Sequence, residues 1–198
     1  MNDTNIQNKP KILQKIQGKS EEIGFTMPSD IYIGTFLKTL IASKPKGRFL
    51  ELGTGIGLSL SWTVDGMDRE SHLITVDNDP GLIDIATSYF GEDKRLEIVC
   101  QEGAEWIKVY NGAAFDLIFA DAWPGKYSEI DEILDLINVG GFYVIDDMSV
   151  QPNWPDGHQE KADGLVAYLE KRDDFTLTKM NWSTGLIIAV KKKVIINT

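Results

Sequence analysis

The segment from Arg48 to Met67 constrains this chain more than any other. Arg48-Phe49-Leu50-Glu51-Leu52 reads as a buried strand, Gly53-Thr54-Gly55-Ile56-Gly57 as a glycine turn, and Leu58 to Met67 as a helix. A strand that passes through glycines straight into a helix begins a β–α unit, and the rhythm continues downstream. Leu73 to Val76, Leu96 to Cys100, Phe115 to Ala120 and Gly141 to Ile145 read as further strands. Leu82 to Phe90 and Ala104 to Tyr110 read as helices. So do a stretch with Ile130, Ile133, Leu134 and Ile137 on one face and a later one with Ala162, Leu165, Val166 and Leu169. Strands alternating with helices predict a parallel sheet covered on both faces.

The two ends break the rhythm. Phe175 to Met180 and Leu186 to Val190 read as strands with only a Ser183-Thr184-Gly185 turn region between them. No helix fits that gap, so an antiparallel hairpin is predicted, placing one reversed strand in the sheet. At the other end, residues 1–9 are polar and expected to be loosely attached. Pro10 to about Ile23 carries Ile12, Leu13 and Ile16 at helical spacing. A second helix, capped by Ser29 or Asp30, has an apolar stripe of Ile33, Phe36, Leu37, Leu40 and Ile41. The expectation is one α/β domain over residues 1–198, Rossmann-like, with a mostly parallel seven-stranded sheet. A helical cap covers 1–43 and the core 47–192.

Composition narrows the partners. The formal net charge of -10 sets most of the surface against a phosphate backbone, so no nucleic-acid partner is expected. The single cysteine, Cys100, allows no intramolecular disulfide and suits a reducing, cytoplasmic setting. No apolar run is long enough to cross a bilayer, and the N-terminus lacks a secretory pattern, so no membrane partner is expected. A small-molecule acceptor is the expected partner. Ile12, Leu13 and Ile16 could also pair across a homodimer.

The glycine turn points to a cofactor. Its glycines let the backbone approach a ligand, and the helix start offers free N–H groups. A dinucleotide fingerprint wants a small residue at the sixth position of G-x-G-x-x-G, where this chain has Leu58. Glu51, two residues before the first glycine, suits a cofactor with a cationic amino-acid end. Asp77 ends the next strand, where a carboxylate can accept both hydroxyls of a ribose. Asp79, followed by Pro80, fits a helix cap better. Glu102-Gly103-Ala104 follows the third strand.

Beyond the fourth strand lies Asp121-Ala122-Trp123, and beyond the fifth Asp146-Asp147. These acids gather where open α/β sheets bind ligands, and they repel one another unless a cation or protons relieve them. Hard oxygen ligands in that number suit Mg²⁺ or another divalent ion. Otherwise they cap the loop or cradle a cationic acceptor.

The acid followed by G-x-G-x-G resembles motif I of class I S-adenosylmethionine-dependent methyltransferases. Asp121-x-Trp123 and the Asp146-Asp147 pair resemble the catechol and caffeoyl-CoA O-methyltransferase branch. The resemblance runs from about Phe25 to Lys191. It implies that Glu51, Gly53 and Gly55 line the methionine part of S-adenosylmethionine and that Ser59 binds its carboxylate. It implies that Glu102, Gly103 and Ala104 frame the adenine, that Trp123 packs on it, and that Asp121, Asp146 and Asp147 hold the metal. One departure matters. That branch has a lysine three residues after the first metal aspartate, where this chain has Pro124. Lys126 and His158, the latter in the loop that holds Pro152 and Pro155, are the candidates for the missing base. The expected activity is O-methylation of a small catechol-like acceptor with a divalent metal. The alternatives are metal-free methylation of an amine or carboxylate, a non-catalytic cofactor-binding module and, disfavoured by Leu58, an NAD oxidoreductase.

Overall fold

The computed structural model describes residues 2–151 and 154–193; Met1, Pro152, Asn153 and residues 194–198 lie outside it. Two helices, α1 (Leu13–Ile23) and α2 (Ile31–Ala42), precede the sheet. Then follow β1 (Arg48–Leu52), α3 (Leu58–Gly66), β2 (His72–Asp77), α4 (Pro80–Phe90), β3 (Leu96–Cys100) and α5 (Gly103–Val109). The chain continues through β4 (Phe115–Ala120), α6 (Ile130–Asp135), β5 (Ile137–Ile145), α7 (His158–Leu169), β6 (Phe175–Met180) and β7 (Leu186–Lys191). The helix caps follow the local chemistry. Asp30 accepts the N–H of Tyr32 at 2.7 Å, which makes Asp30 rather than Ser29 the cap of α2. Asp79 caps α4 with Pro80 at its first position.

The strands form one seven-stranded sheet in the order β3-β2-β1-β4-β5-β7-β6. β1 to β5 are mutually parallel, and β7 runs antiparallel to both β5 and β6. The expected hairpin is therefore present, with the reversed strand inside the sheet and β6 at its edge. Phe175, Leu186, Ile187 and Ala189 carry its burial, while Leu177 is only partly buried. One expectation fails. Ile137 belongs to β5 and pairs with Phe115, because α6 stops at Asp135. Gly140, at φ 79°, and Gly141 admit a register shift that lets the strand begin ahead of them.

Both faces of the sheet are buried. Phe49, Leu73, Leu117, Phe119 and Val144 face the apolar sides of α1 to α4, including Ile16, Leu37, Trp62 and Phe90. Leu50, Leu52, Ile118, Tyr143 and Ile145 face Trp106, Ile133, Leu134 and Leu165. Side chains of this size contribute about 1.5–3 kcal/mol each when fully buried. Leu13 and Ile16 are buried in the chain's own core, so these two side chains do not form a free dimer face. The polar start is mostly exposed and touches the fold at two points. Ile6 packs against the same core and Lys38 Nζ donates to the Asn8 carbonyl at 2.7 Å. α2 and α3 approach so closely that a Cβ on Gly34 would stand 2.3 Å from the Trp62 ring.

The strand order reverses at β1. The chain moves outward to β2 and β3, then returns to place β4 on the other side of β1. In open α/β sheets the crevice at such a switch, beyond the carboxyl ends of the strands, is where ligands bind.

Candidate active site

A cleft of about 730 Å³ opens at that switch. Its wall includes Gly53, Gly55, Asp77, Glu102 and Gly103 at one end and Asp121, Trp123, Lys126, Asp146, Asp147 and His158 at the other. Glu51, Ser59 and Ala104 are not on the wall.

The first end is built by the glycine turn. Gly53 holds φ 102°, and a Cβ there would press within 2.9 Å of the Asp121 carbonyl oxygen. Gly55 holds φ 51° and donates its N–H to Asp77 Oδ2 at 2.8 Å. Asp77 Oδ1 accepts the N–H of Asp79 at 3.0 Å. Two backbone donors thus fix the carboxylate at the end of β2. Exposed Glu102 accepts from the Asn78 side chain at 2.8 Å.

Behind the turn, Glu51 is buried. It accepts hydrogen bonds from the hydroxyls of Ser59 and Thr75, each at 2.6 Å. Burial pushes its carboxyl up to about 7 against the pull of those two hydroxyls, and nearby Asp77 adds to the rise. The expected contact of Ser59 with a cofactor carboxylate is therefore not what the local geometry provides. Ser59 is buried and its proton is committed to Glu51, so both residues brace the turn from behind.

The second end gathers acids around one lysine. Burial raises Asp121 well above the carboxylate range, and Asp146 and Asp147 nearby add to it while Lys126 opposes. Burial pushes Asp146 up to about 6. Its Oδ1 accepts the N–H of Asp147 at 2.7 Å and the hydroxyl of Thr184. Asp147 sits at φ 53°, rare outside glycine. Lys126, 4% exposed, donates from Nζ to the Asp146 carbonyl at 2.6 Å and the Asp147 carbonyl at 3.4 Å. Burial lowers its pKa, against the three surrounding aspartates.

His158 opens α7 rather than lying in a loop, and it is only 8% exposed. Its ring stacks on Trp154 at 4.1 Å, and its Nε2 pairs with the Tyr127 hydroxyl at 3.1 Å. Its Nδ1 is buried without a hydrogen-bond partner among the described residues. Burial and Lys126 lower its pKa. Trp123, 49% exposed, meets Tyr127 and His158 edge to face. The second end thus has an aromatic wall. Tyr127, Trp154 and Thr184 were not legible as site residues. Thr184 arrives from the β6–β7 turn, and no motif marks it.

The sequence pattern of a family described as O-methyltransferase matches residues 6–174. A curated "Probable O-methyltransferase" of Mycobacterium tuberculosis is 30% identical over 115 residues, covering 55% of this chain and 51% of that protein. The chain spans about half the length of the curated relatives it matches. Among solved structures, the O-methyltransferase TomG from Streptomyces achromogenes in complex with SAM superposes with a TM-score of 0.83 at 20% identity, covering 96% of this chain and 93% of that one. SAH-bound methyltransferase PaMTH1 from Podospora anserina gives 0.82 at 20% identity, covering 96% and 92%. These two likenesses establish the fold.

Proposed function

The chain belongs to the O-methyltransferase family, and from that premise we propose that it transfers the methyl group of S-adenosylmethionine to a hydroxyl of a small aromatic acceptor. The observation that carries this reading is the continuity of the cleft. The glycine turn and Asp77 share one cavity with Lys126, His158 and the strand-end acids.

The first end suits the cofactor. Asp77 keeps lone pairs for two ribose hydroxyls, and the glycine turn leaves backbone open to the amino-acid end. Glu102 and Trp123 flank room for the adenine. When bound, the cofactor supplies a methyl group on a sulfonium sulfur; an oxygen–carbon bond forms, the carbon–sulfur pair stays on sulfur, and the acceptor's proton leaves to water. What the protein contributes is largely positioning. Trp154, His158, Tyr127 and Trp123 present ring faces and edges against which a planar acceptor can pack. That wall supports an aromatic acceptor of the kind the sequence suggests.

The divalent ion expected at Asp121, Asp146 and Asp147 is poorly matched by the donor set. Asp146 Oδ1 already accepts two protein hydrogen bonds. A lysine ammonium stands among the three acids. Among the described residues, no group of three His, Cys, Asp or Glu side chains is arranged to hold a metal.

The reading is tested by titrating S-adenosylhomocysteine and NAD into the full chain, then screening methyl transfer to hydroxylated aromatics and to their O-methylated counterparts. Binding of S-adenosylhomocysteine alone, with transfer only to acceptors that keep a free hydroxyl, is expected. Lack of binding, or transfer to aromatic amines screened in parallel and not to the hydroxylated aromatics, sinks the proposal.

A further inference from the structure

Lys126 is carried into the protein by a tightly wound turn. The Trp123 carbonyl accepts the N–H groups of Lys126 at 3.1 Å and Tyr127 at 2.8 Å. Gly125 sits at φ 77° with its carbonyl taken by the Tyr143 hydroxyl. That winding delivers a long, ordinarily solvated side chain to a buried position.

A buried ammonium needs compensation for lost hydration. Here the backbone carbonyls of Asp146 and Asp147 supply it directly. An ammonium has three donors and the two carbonyls engage two, leaving one for the cleft that Lys126 lines. Among the described residues, no ion pair engages Lys126. It lines the same cleft as Asp121, Asp146 and Asp147, and its Nζ rests on the backbone carbonyls of the latter two rather than on any carboxylate. A divalent ion entering the same place would meet a like charge at short range in a poorly hydrated setting.

Building on the methyltransferase reading, we infer that the Lys126 ammonium is the resident cation of the acceptor end: it occupies the place of a divalent ion and donates its free hydrogen bond to the acceptor oxygen. The bond is strongest to an oxygen that carries negative charge. It holds and stabilises the ionised acceptor without a metal. A single ammonium contact also makes a different demand from a chelated ion. Chelation rewards two neighbouring oxygens, whereas one N–H donor needs only one. The acceptor class is therefore an aromatic with one ionisable hydroxyl, and a vicinal second hydroxyl brings little gain.

The experiment uses the full chain, stripped of metal with EDTA and desalted. Mn²⁺ is titrated into the parent, Lys126→Ala, Lys126→Met and the double variant Lys126→Ala/Asp146→Asn, with folding checked by circular dichroism. The single variant Asp146→Asn is titrated alongside, and the parent is expected to show no Mn²⁺ site that this substitution removes. Removing the ammonium leaves the acids uncompensated. Lys126→Ala or Lys126→Met then gains Mn²⁺ affinity of about tenfold or more, some 1.4 kcal/mol, and Asp146→Asn cancels the gain. Turnover of a monohydroxylated acceptor by the parent is expected to be indifferent to EDTA. An Asp146-dependent Mn²⁺ site in the parent overturns the inference. So does metal-dependent turnover, or folded Lys126 variants that gain no affinity. Should both variants fail to fold, the parent titration still decides. S-adenosylhomocysteine binding is measured on the same samples, so failure of the methyltransferase reading registers there and not in the Mn²⁺ titrations.

Discussion

The backbone N–H of Gly55 donates to the Asp77 carboxylate at 2.8 Å, tying the tip of the glycine turn to the end of β2. The same carboxylate therefore shapes the turn and faces the cleft. Asp77→Ala is expected to weaken S-adenosylhomocysteine by about 1.5–3 kcal/mol, roughly ten- to 150-fold, by calorimetry. Gly55→Val should cost more, since φ 51° is strained for a branched side chain and the new carbons crowd Phe25. Unchanged affinity in a folded Asp77→Ala protein removes Asp77 from the site.

Glu51 gives stability a definite pH dependence. Its carboxyl is held near 7 in the folded protein against an ordinary value of 4.5. Between those values the folded chain keeps a proton that the unfolded chain has lost, so rising pH favours unfolding. The loss is complete above about 7 and amounts to at most roughly 3 kcal/mol at 1.36 kcal/mol per unit. Glu51→Gln cannot ionise. Its melting temperature relative to the parent should be higher at about pH 8 than at about pH 5. A difference independent of pH would mean that Glu51 titrates normally.

Gly34 is required by packing. The Trp62 ring lies only 2.3 Å from where a Cβ would stand, so Gly34→Ala overpacks the α2–α3 contact. The cost should be about 1–3 kcal/mol, or roughly 2–12 °C in melting temperature. Trp62→Leu in the same chain should recover part of it, as coupled neighbours do. Additive losses in a double-mutant cycle would place the strain elsewhere.

The aromatic wall can be separated from the cofactor end by kinetics. Trp154→Ala removes the ring stacked on His158. At saturating S-adenosylmethionine, acceptor KM should rise about two- to tenfold, the worth of one aromatic pair, with the cofactor's KM unchanged. Parallel rises in both KM values would assign Trp154 to general stability.

Much of the fold was legible because it rests on periodicity. Each strand from Arg48–Leu52 onward, the Asp79–Pro80 cap and the terminal hairpin follow from spacing and local chemistry. Ile137 misled because a lone apolar residue beside Leu134 fits a helical stripe. Only the glycines after Asn138 turn it into a strand start. Glu51 and Ser59 stand eight residues apart, and spacing alone cannot tell a shared ligand from a mutual hydrogen bond. The direction taken by Lys126 was hidden for another reason. It depends on the winding at Gly125 and on a Tyr143 hydroxyl eighteen residues downstream. Thr184 meets Asp146 across thirty-eight residues, a pairing that exists only once the hairpin has docked.

The place of β7 sets an order of events during synthesis. It is the last of the described strands to be made, yet it lies between β5 and β6. Until it leaves the ribosome, β5 presents a bare edge and β6, though already made, has no berth beside it. β6 can join the sheet only with β7 or after it, so the docking of β7 is the motion that closes this side of the sheet. That motion also delivers Thr184 to Asp146. An emerging chain thus hides its adhesive strand edge and completes the setting of its cleft-lining acids in the same step. Whatever covers that bare strand edge in the meantime is also covering an unfinished cleft.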